Sequence, residues 1–205
     1  GLEEGGAVHI TGNNSNAINC IFYDNFAENG RGAAIYVEGD NTTIIDSKFT
    51  NHKSEMGTVY IEGENATVKT SQFEANIASH GGAGVYIEGD HSYVHECDFI
   101  NNNASMHGGA IHTIGSRAVI DDCNFYNNNA IPNSEDPEYG LGGAIYIDGS
   151  HNEINHCFFG HNTARNGSAI YTRGFDLSLT DDEFHENQAW SYLLFTEAHR
   201  PEAYW

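Results

Sequence analysis

Gly142-Gly143-Ala144-Ile145-Tyr146-Ile147-Asp148-Gly149 is the stretch on which the reading of the chain turns. The phrase returns six times within 205 residues, at Gly5 to Gly12, Ala34 to Gly39, Thr58 to Gly63, Val85 to Gly89, Gly109 to Gly115 and Ala169 to Gly174. Its closing glycines, at 12, 39, 63, 89, 115, 149 and 174, stand 27, 24, 26, 26, 34 and 25 residues apart. Self-similarity at a period of about 20 to 50 residues marks a solenoid. Within each phrase apolar and polar side chains alternate, which is the period of a strand with one buried face. A lone strand cannot bury that face, so each must stack on the next.

A second phrase sits in every repeat. Its phenylalanines are Phe22, Phe49, Phe73, Phe99, Phe125, Phe159 and Phe184, followed three residues later by Asn25, His52, Asn76, Asn102, Asn128, Asn162 and Asn187. Two residues before each comes Cys20, Ser47, Ser71, Cys97, Cys123, Cys157 or Asp182. Columns this regular predict rungs in register, each strand pairing in parallel with its equivalent one turn away, about 4.8 Å along the axis. Phenylalanines then stack on phenylalanines and asparagine amides bond to the amides above and below. The expected architecture is all-β, a parallel β-helix of about seven rungs. A turn of about 25 residues and the usual hand of parallel crossovers make it right-handed. Seven rungs at strand spacing give a rod roughly 34 Å long.

Residues 1–189 read as one domain of repeats. Between Asn128 and Gly142 the chain is longer than elsewhere, and residues 131–141, carrying two of the three prolines, are expected to leave the rod as an insertion loop, because proline cannot donate to a ladder. Residues 190–205, which hold both tryptophans, are expected to cap the last rung or to begin a further one. No cap precedes the first rung, so further rungs are expected before Gly1. The four cysteines share one column and read as small core residues alternating with serine, because in-register neighbours rarely reach disulfide torsions.

The charge is strongly one-sided, with 29 acidic against 8 basic residues and a formal net charge of −21. Nucleic acid and anionic membranes are thereby excluded as partners, since affinity for both depends on lysine and arginine meeting phosphate. No stretch approaches the ~20 apolar residues of a membrane helix, and direct insertion into a bilayer is not expected.

The Gly-Gly-Ala-(Ile/Val) phrase is complete at Gly5 to Val8, Gly108 to Ile111 and Gly142 to Ile145, and Phe-x-x-Asn at Phe22, Phe73, Phe99, Phe125, Phe159 and Phe184. This pair resembles the signature of the chlamydial polymorphic membrane proteins and, equally, the β-helical repeats of adhesin-like surface proteins of methanogenic archaea. The resemblance covers about 185 residues. Departures stand at Gly32-Ala33-Ala34-Ile35, Met56-Gly57-Thr58-Val59 and Phe49-Thr50-Asn51-His52. It implies an extracellular, cell-surface domain that attaches without catalysis to a cell-surface glycan or protein of another cell.

If Ile145 and Ile147 point inward, Tyr146 and Asp148 point outward. The outward columns then hold Tyr36, Tyr60, Tyr86, His112, Tyr146 and Tyr171 beside Glu38, Glu62, Glu88 and Asp148. An exposed aromatic stripe beside a carboxylate stripe is the expected binding surface, because tyrosine offers flat apolar area with a polar handle. The competing reading is stacking alone, in which cross-strand aromatic pairs contribute roughly 0.2–1 kcal/mol each. Carboxylates stacked about 5 Å apart repel by about 1 kcal/mol even in water, a cost that a bridging calcium ion would remove. Calcium is therefore the candidate cofactor, with Glu96, Asp98, Asp121 and Asp122 as a second acidic patch; the alternative is side chains splayed into water. His80 and His107 share one slot in neighbouring rungs, but two ligands are too few to define zinc.

An enzyme reading competes. A glycoside hydrolase needs two carboxylates about 5–9.5 Å apart across one bond. Glu62 with Glu88, or Glu88 with Asp90, supply such pairs, yet acids recur in nearly every rung instead of converging at one break. By resemblance, lyases of this fold set a basic residue beside calcium, and Lys48, Lys53, Lys69 and Arg117 form no cluster on the acidic face. A polysaccharide lyase or hydrolase, and a purely structural stalk, stand as alternatives to attachment.

Overall fold

The computed structural model describes residues 5–132, 136 and 138–190 together with the strand Leu194–Thr196. Every described strand is short, and the fifth turn serves as a template. It runs Ile111–Thr113, Val119–Asp121, Asn124–Tyr126 and Asn129–Ala130. Equivalent strands of successive turns pair in parallel, giving sheet I with eight strands and sheets II, III and IV with seven each. Register is strict: Phe73 pairs with Phe49 and Phe99, and Val85 with Val59 and Ile111. The result is a right-handed β-solenoid of about seven turns. The strand Leu194–Thr196 pairs with Ile170–Thr172 as the last of sheet I, and the rest of 191–205 lies outside the described residues.

Four corners bend each turn, and each corner holds a residue in the left-handed region. In the fourth turn these are Gly82 at φ 58°, His91 at 59°, Glu96 at 51° and Asn101 at 57°. Asparagine, aspartate and histidine dominate the non-glycine corners, as the steric cost of that region predicts. Stacking sets a second demand. A Cβ on Gly89 would stand 2.0 Å from the Gly63 carbonyl oxygen, so the closing glycine of every phrase after the first is required by the approach of the rung before it.

Inside the coil the phenylalanines form one column, with Phe49, Phe73 and Phe99 rings 4.7 and 4.9 Å apart and nearly parallel. Beside it runs a buried amide ladder. Asn102 Nδ2 donates to Asn128 Oδ1 at 3.0 Å and to the Phe73 carbonyl at 2.9 Å, while Asn102 Oδ1 accepts from Asn76 Nδ2 at 2.9 Å. His52 ends the ladder, its Nδ1 accepting from the Asn25 backbone N–H at 3.0 Å. Cys97, Cys123 and Cys157 are free and buried, and each thiol donates to the carbonyl two residues earlier at 3.2 Å. Ser47 and Ser71 make the same bond with their hydroxyls at 2.8 Å.

One feature of the coil escapes simple strand periodicity. Just before each corner glycine of sheet I, the chain pairs with its neighbours in an extra row: Arg31 with Met56, Met56 with Gly81, Gly81 with His107, His107 with Leu141 and Leu141 with Asn166. This row stands beside sheet I and covers its outer face. Leu141 thus rejoins the register after the insertion, of which residues 133–135 and 137 lie outside the described residues.

Candidate functional site

The outward side chains of sheet I are aligned as their alternation predicts, but the tyrosines are not exposed. Tyr36, Tyr60, Tyr146 and Tyr171 retain 2, 0, 2 and 4 % of their surface, and Tyr86 and His112 retain 8 and 7 %. The expectation of an accessible aromatic stripe is therefore corrected. Its physical reason is the extra row: Met56 packs on Tyr36, Tyr60 and Tyr86, and Leu141 on Tyr146 and Tyr171, so each outward ring enters a second, thinner core. Tyr60 and Tyr86 stack 4.9 Å apart, Tyr146 and Tyr171 5.6 Å apart.

The carboxylates of the adjacent column stand at the rim of this core and accept from it. Tyr36 Oη donates to Glu62 at 2.5 Å, Arg31 Nη1 donates to the same oxygen at 3.0 Å, and Tyr60 Oη donates to Glu88. His9 meets Glu38 at 2.9 Å, and Arg173 pairs with Glu138 of the insertion. Burial, then the Glu88 carboxylate, pushes the Tyr86 phenol up to about 12. Burial raises Tyr60 and Tyr146 as well, with Glu88 and Asp148 the leading charges. Burial keeps these phenols neutral, and Tyr36 is committed to Glu62 as Tyr60 is to Glu88.

Histidine interrupts the tyrosine column once. His112 takes the tyrosine slot and fits because the row residue beside it is Gly81, where a Cβ would come within 2.5 Å of His112 Nδ1. His107 lies 4.5 Å from Tyr146 in a stacked arrangement and 5.7 Å from His112. Burial holds His107 down at about 4, with Arg173 adding to the effect, and holds His112 well below its usual value, with His107 and His80 adding. His80 Nδ1 turns to Glu55 at 3.3 Å, away from the shared site with His107 that their common slot suggested.

Glu96, Asp98, Asp121 and Asp122, expected as one acidic patch, spread along one corner, with Glu96 lying between a groove it shares with Asp98 and a histidine cluster it shares with Asp121. Asp98 accepts from Asn124 Nδ2 at 2.9 Å, and Glu96 faces Lys69 at 3.4 Å. Both line a groove of about 330 Å³ along the corner between sheets II and III, with Asp46, Lys48, Thr70 and Gln72. Asp121 and Asp122 lie instead with His95, and Asp121 also meets His156. Carboxylate spacing alone did not reveal this histidine content. The signal was the corner column itself, in which Glu96, Asp122, His156 and Asp181 succeed one another.

A coil of in-register parallel turns, with polar rows on its flanks and no break in its repeat until residue 131, defines the class as a parallel β-solenoid. The family described as the right-handed β-helix region matches residues 6–189, and the chain belongs to that family. No curated protein and no solved structure matches it.

Proposed function

We propose that this β-helix domain is a non-catalytic attachment module of an extracellular, cell-surface protein, taking a glycan or protein displayed on another cell. The observation that carries the reading is the groove between sheets II and III. Its rim of hydroxyl, carboxamide, carboxylate and ammonium groups spans three turns and offers the mixed donors and acceptors that sugar hydroxyls need. The carboxylates best placed for hydrolysis support it from the other side. Glu62 and Glu88 accept hydrogen bonds from tyrosine, which suits fixed acceptors better than a proton-cycling pair.

The test is incubation of the protein with a panel of neutral and acidic polysaccharides in calcium buffer, read for retention and for new reducing ends or unsaturated products. Retention of one polysaccharide without product, weakened about tenfold by Gln72→Ala or Lys48→Ala, is the expected result; one lost bond to a charged group is worth roughly that much. Product formation would establish the lyase or hydrolase alternative. Retention of no glycan, together with no capture of a surface protein from intact cells, would leave the stalk.

A further inference from the structure

The outward ends of the sheet II strands and the corner that follows them stack as dipeptides on four successive turns: His95-Glu96, Asp121-Asp122, Asn155-His156 and Thr180-Asp181. This stacking gathers two imidazoles around one carboxylate. His95 Nδ1 lies 3.1 Å from Asp121 Oδ2, and His156 Nδ1 lies 3.1 Å from Asp121 Oδ1. One donor atom each from His95, Asp121 and Asp122 lies within 4.8 Å of the others.

We propose that His95, Asp121, Asp122 and His156 form a site for a divalent transition metal of the zinc class. Three observations converge on it. First, the donors mix imidazole nitrogen with carboxylate oxygen, a set that suits zinc, cobalt, nickel or copper, whereas calcium favours six to eight oxygens. Second, His95 Nδ1 is enclosed by the fold and, although close to Asp121, makes no aligned hydrogen bond, so a cation between the two would satisfy an otherwise idle buried lone pair. Third, each imidazole has a further carboxylate at its other nitrogen, Glu96 at 3.6 Å from His95 Nε2 and Asp181 at 3.8 Å from His156 Nε2. Outer carboxylates of this kind fix the ring and raise ligand basicity in metal sites. The electrostatics agree, since the four carboxylates of Asp121, Asp122, Glu96 and Asp181 stand against one ammonium, Lys69, which pairs with Glu96. Backbone register holds the four donors on three successive turns, with Asp121 on the middle one between the two imidazoles.

The experiment uses the whole metal-free chain, titrated with zinc by calorimetry and with cobalt by visible absorption, with calcium as competitor. His156 is about half exposed and Asp122 is exposed, so H156Q and D122N address the site without touching the core. H151Q, at the exposed His151–Asp176 pair, is the control. One equivalent of zinc is expected to bind, weakened about tenfold or more in H156Q and D122N and unchanged in H151Q, with D181N intermediate. Cobalt bound at this donor set is expected to broaden the NMR signals of Tyr93 and Asn155 selectively. The proposal is overturned by the absence of saturable zinc binding, which would mean an ion-pair cluster only, by equal binding in the wild type and both site variants, which would place the zinc elsewhere, or by displacement with equimolar calcium, which would make the site an oxygen-ligand one.

Discussion

At Tyr60 packing and electrostatics meet in one side chain, which is fully buried, stacked between Tyr36 and Tyr86, and donates to Glu88. Tyr60→Phe keeps the ring and loses the bond, and is expected to cost about 1 kcal/mol in urea unfolding. Tyr60→Ser opens a cavity and is expected to cost about 3–5 kcal/mol, so any loss of binding in that variant reports on the fold. His107 makes stability depend on acid. It faces Arg173, Glu138, His80 and the Met106 carbonyl, and its folded pKa of about 4 lies below the unfolded value of 6.5. Between those values the unfolded chain binds more protons, so stability is complete above pH 6.5 and declines as pH falls to 4, by on the order of 2–3 kcal/mol. His107→Leu is expected to flatten that slope in denaturant titrations across this window. An unchanged slope in the variant would assign the acid response to other groups, with His112 the first of them.

The amide ladder and the corner columns set the scale of the element. Asn102→Ala removes two donors and one shared acceptor from a buried row and is expected to cost about 3–5 kcal/mol. His52→Asn completes the row in place of a buried imidazole and is expected to stabilise by about 1 kcal/mol. Thr70 is a β-branched residue at φ 48°, and Thr70→Asn is expected to raise the thermal midpoint by about 2–4 °C, the equivalent of about 1 kcal/mol in a chain of this size. These columns were legible in the sequence, because phenylalanine, asparagine and glycine recur at fixed offsets and each offset has one structural meaning. The exposure of the tyrosines was not. Alternation separates the two faces of a strand, but it says nothing about a neighbouring segment laid across the outer face, and Met56, Gly81, His107 and Leu141 share no residue type that would announce one row. The grouping of His95 with His156 was hidden for a different reason: they stand two turns apart, and the insertion at 131–141 shifts the spacing between them.

As a whole the molecule is a stack in which each turn touches only the turns beside it, so its stability is close to a sum of nearest-neighbour interfaces. Deleting residues 90–115, one full turn, is expected to leave a folded coil by circular dichroism with a lower midpoint, whereas deleting half that length would throw every column out of register. The direction of the hydrogen bonds carries a mechanical consequence. All the ladders run along the rod, from Gly84 N to Ala110 O and from Ala110 N to Ala144 O for example, so tension applied at the two ends loads the bonds of one interface at a time. Such a coil peels under force in place of rupturing as a block. Each released turn of about 26 residues pays out roughly 90 Å of chain, which would let a domain anchored at one end and bound at the other lengthen in steps while its remaining turns stay wound.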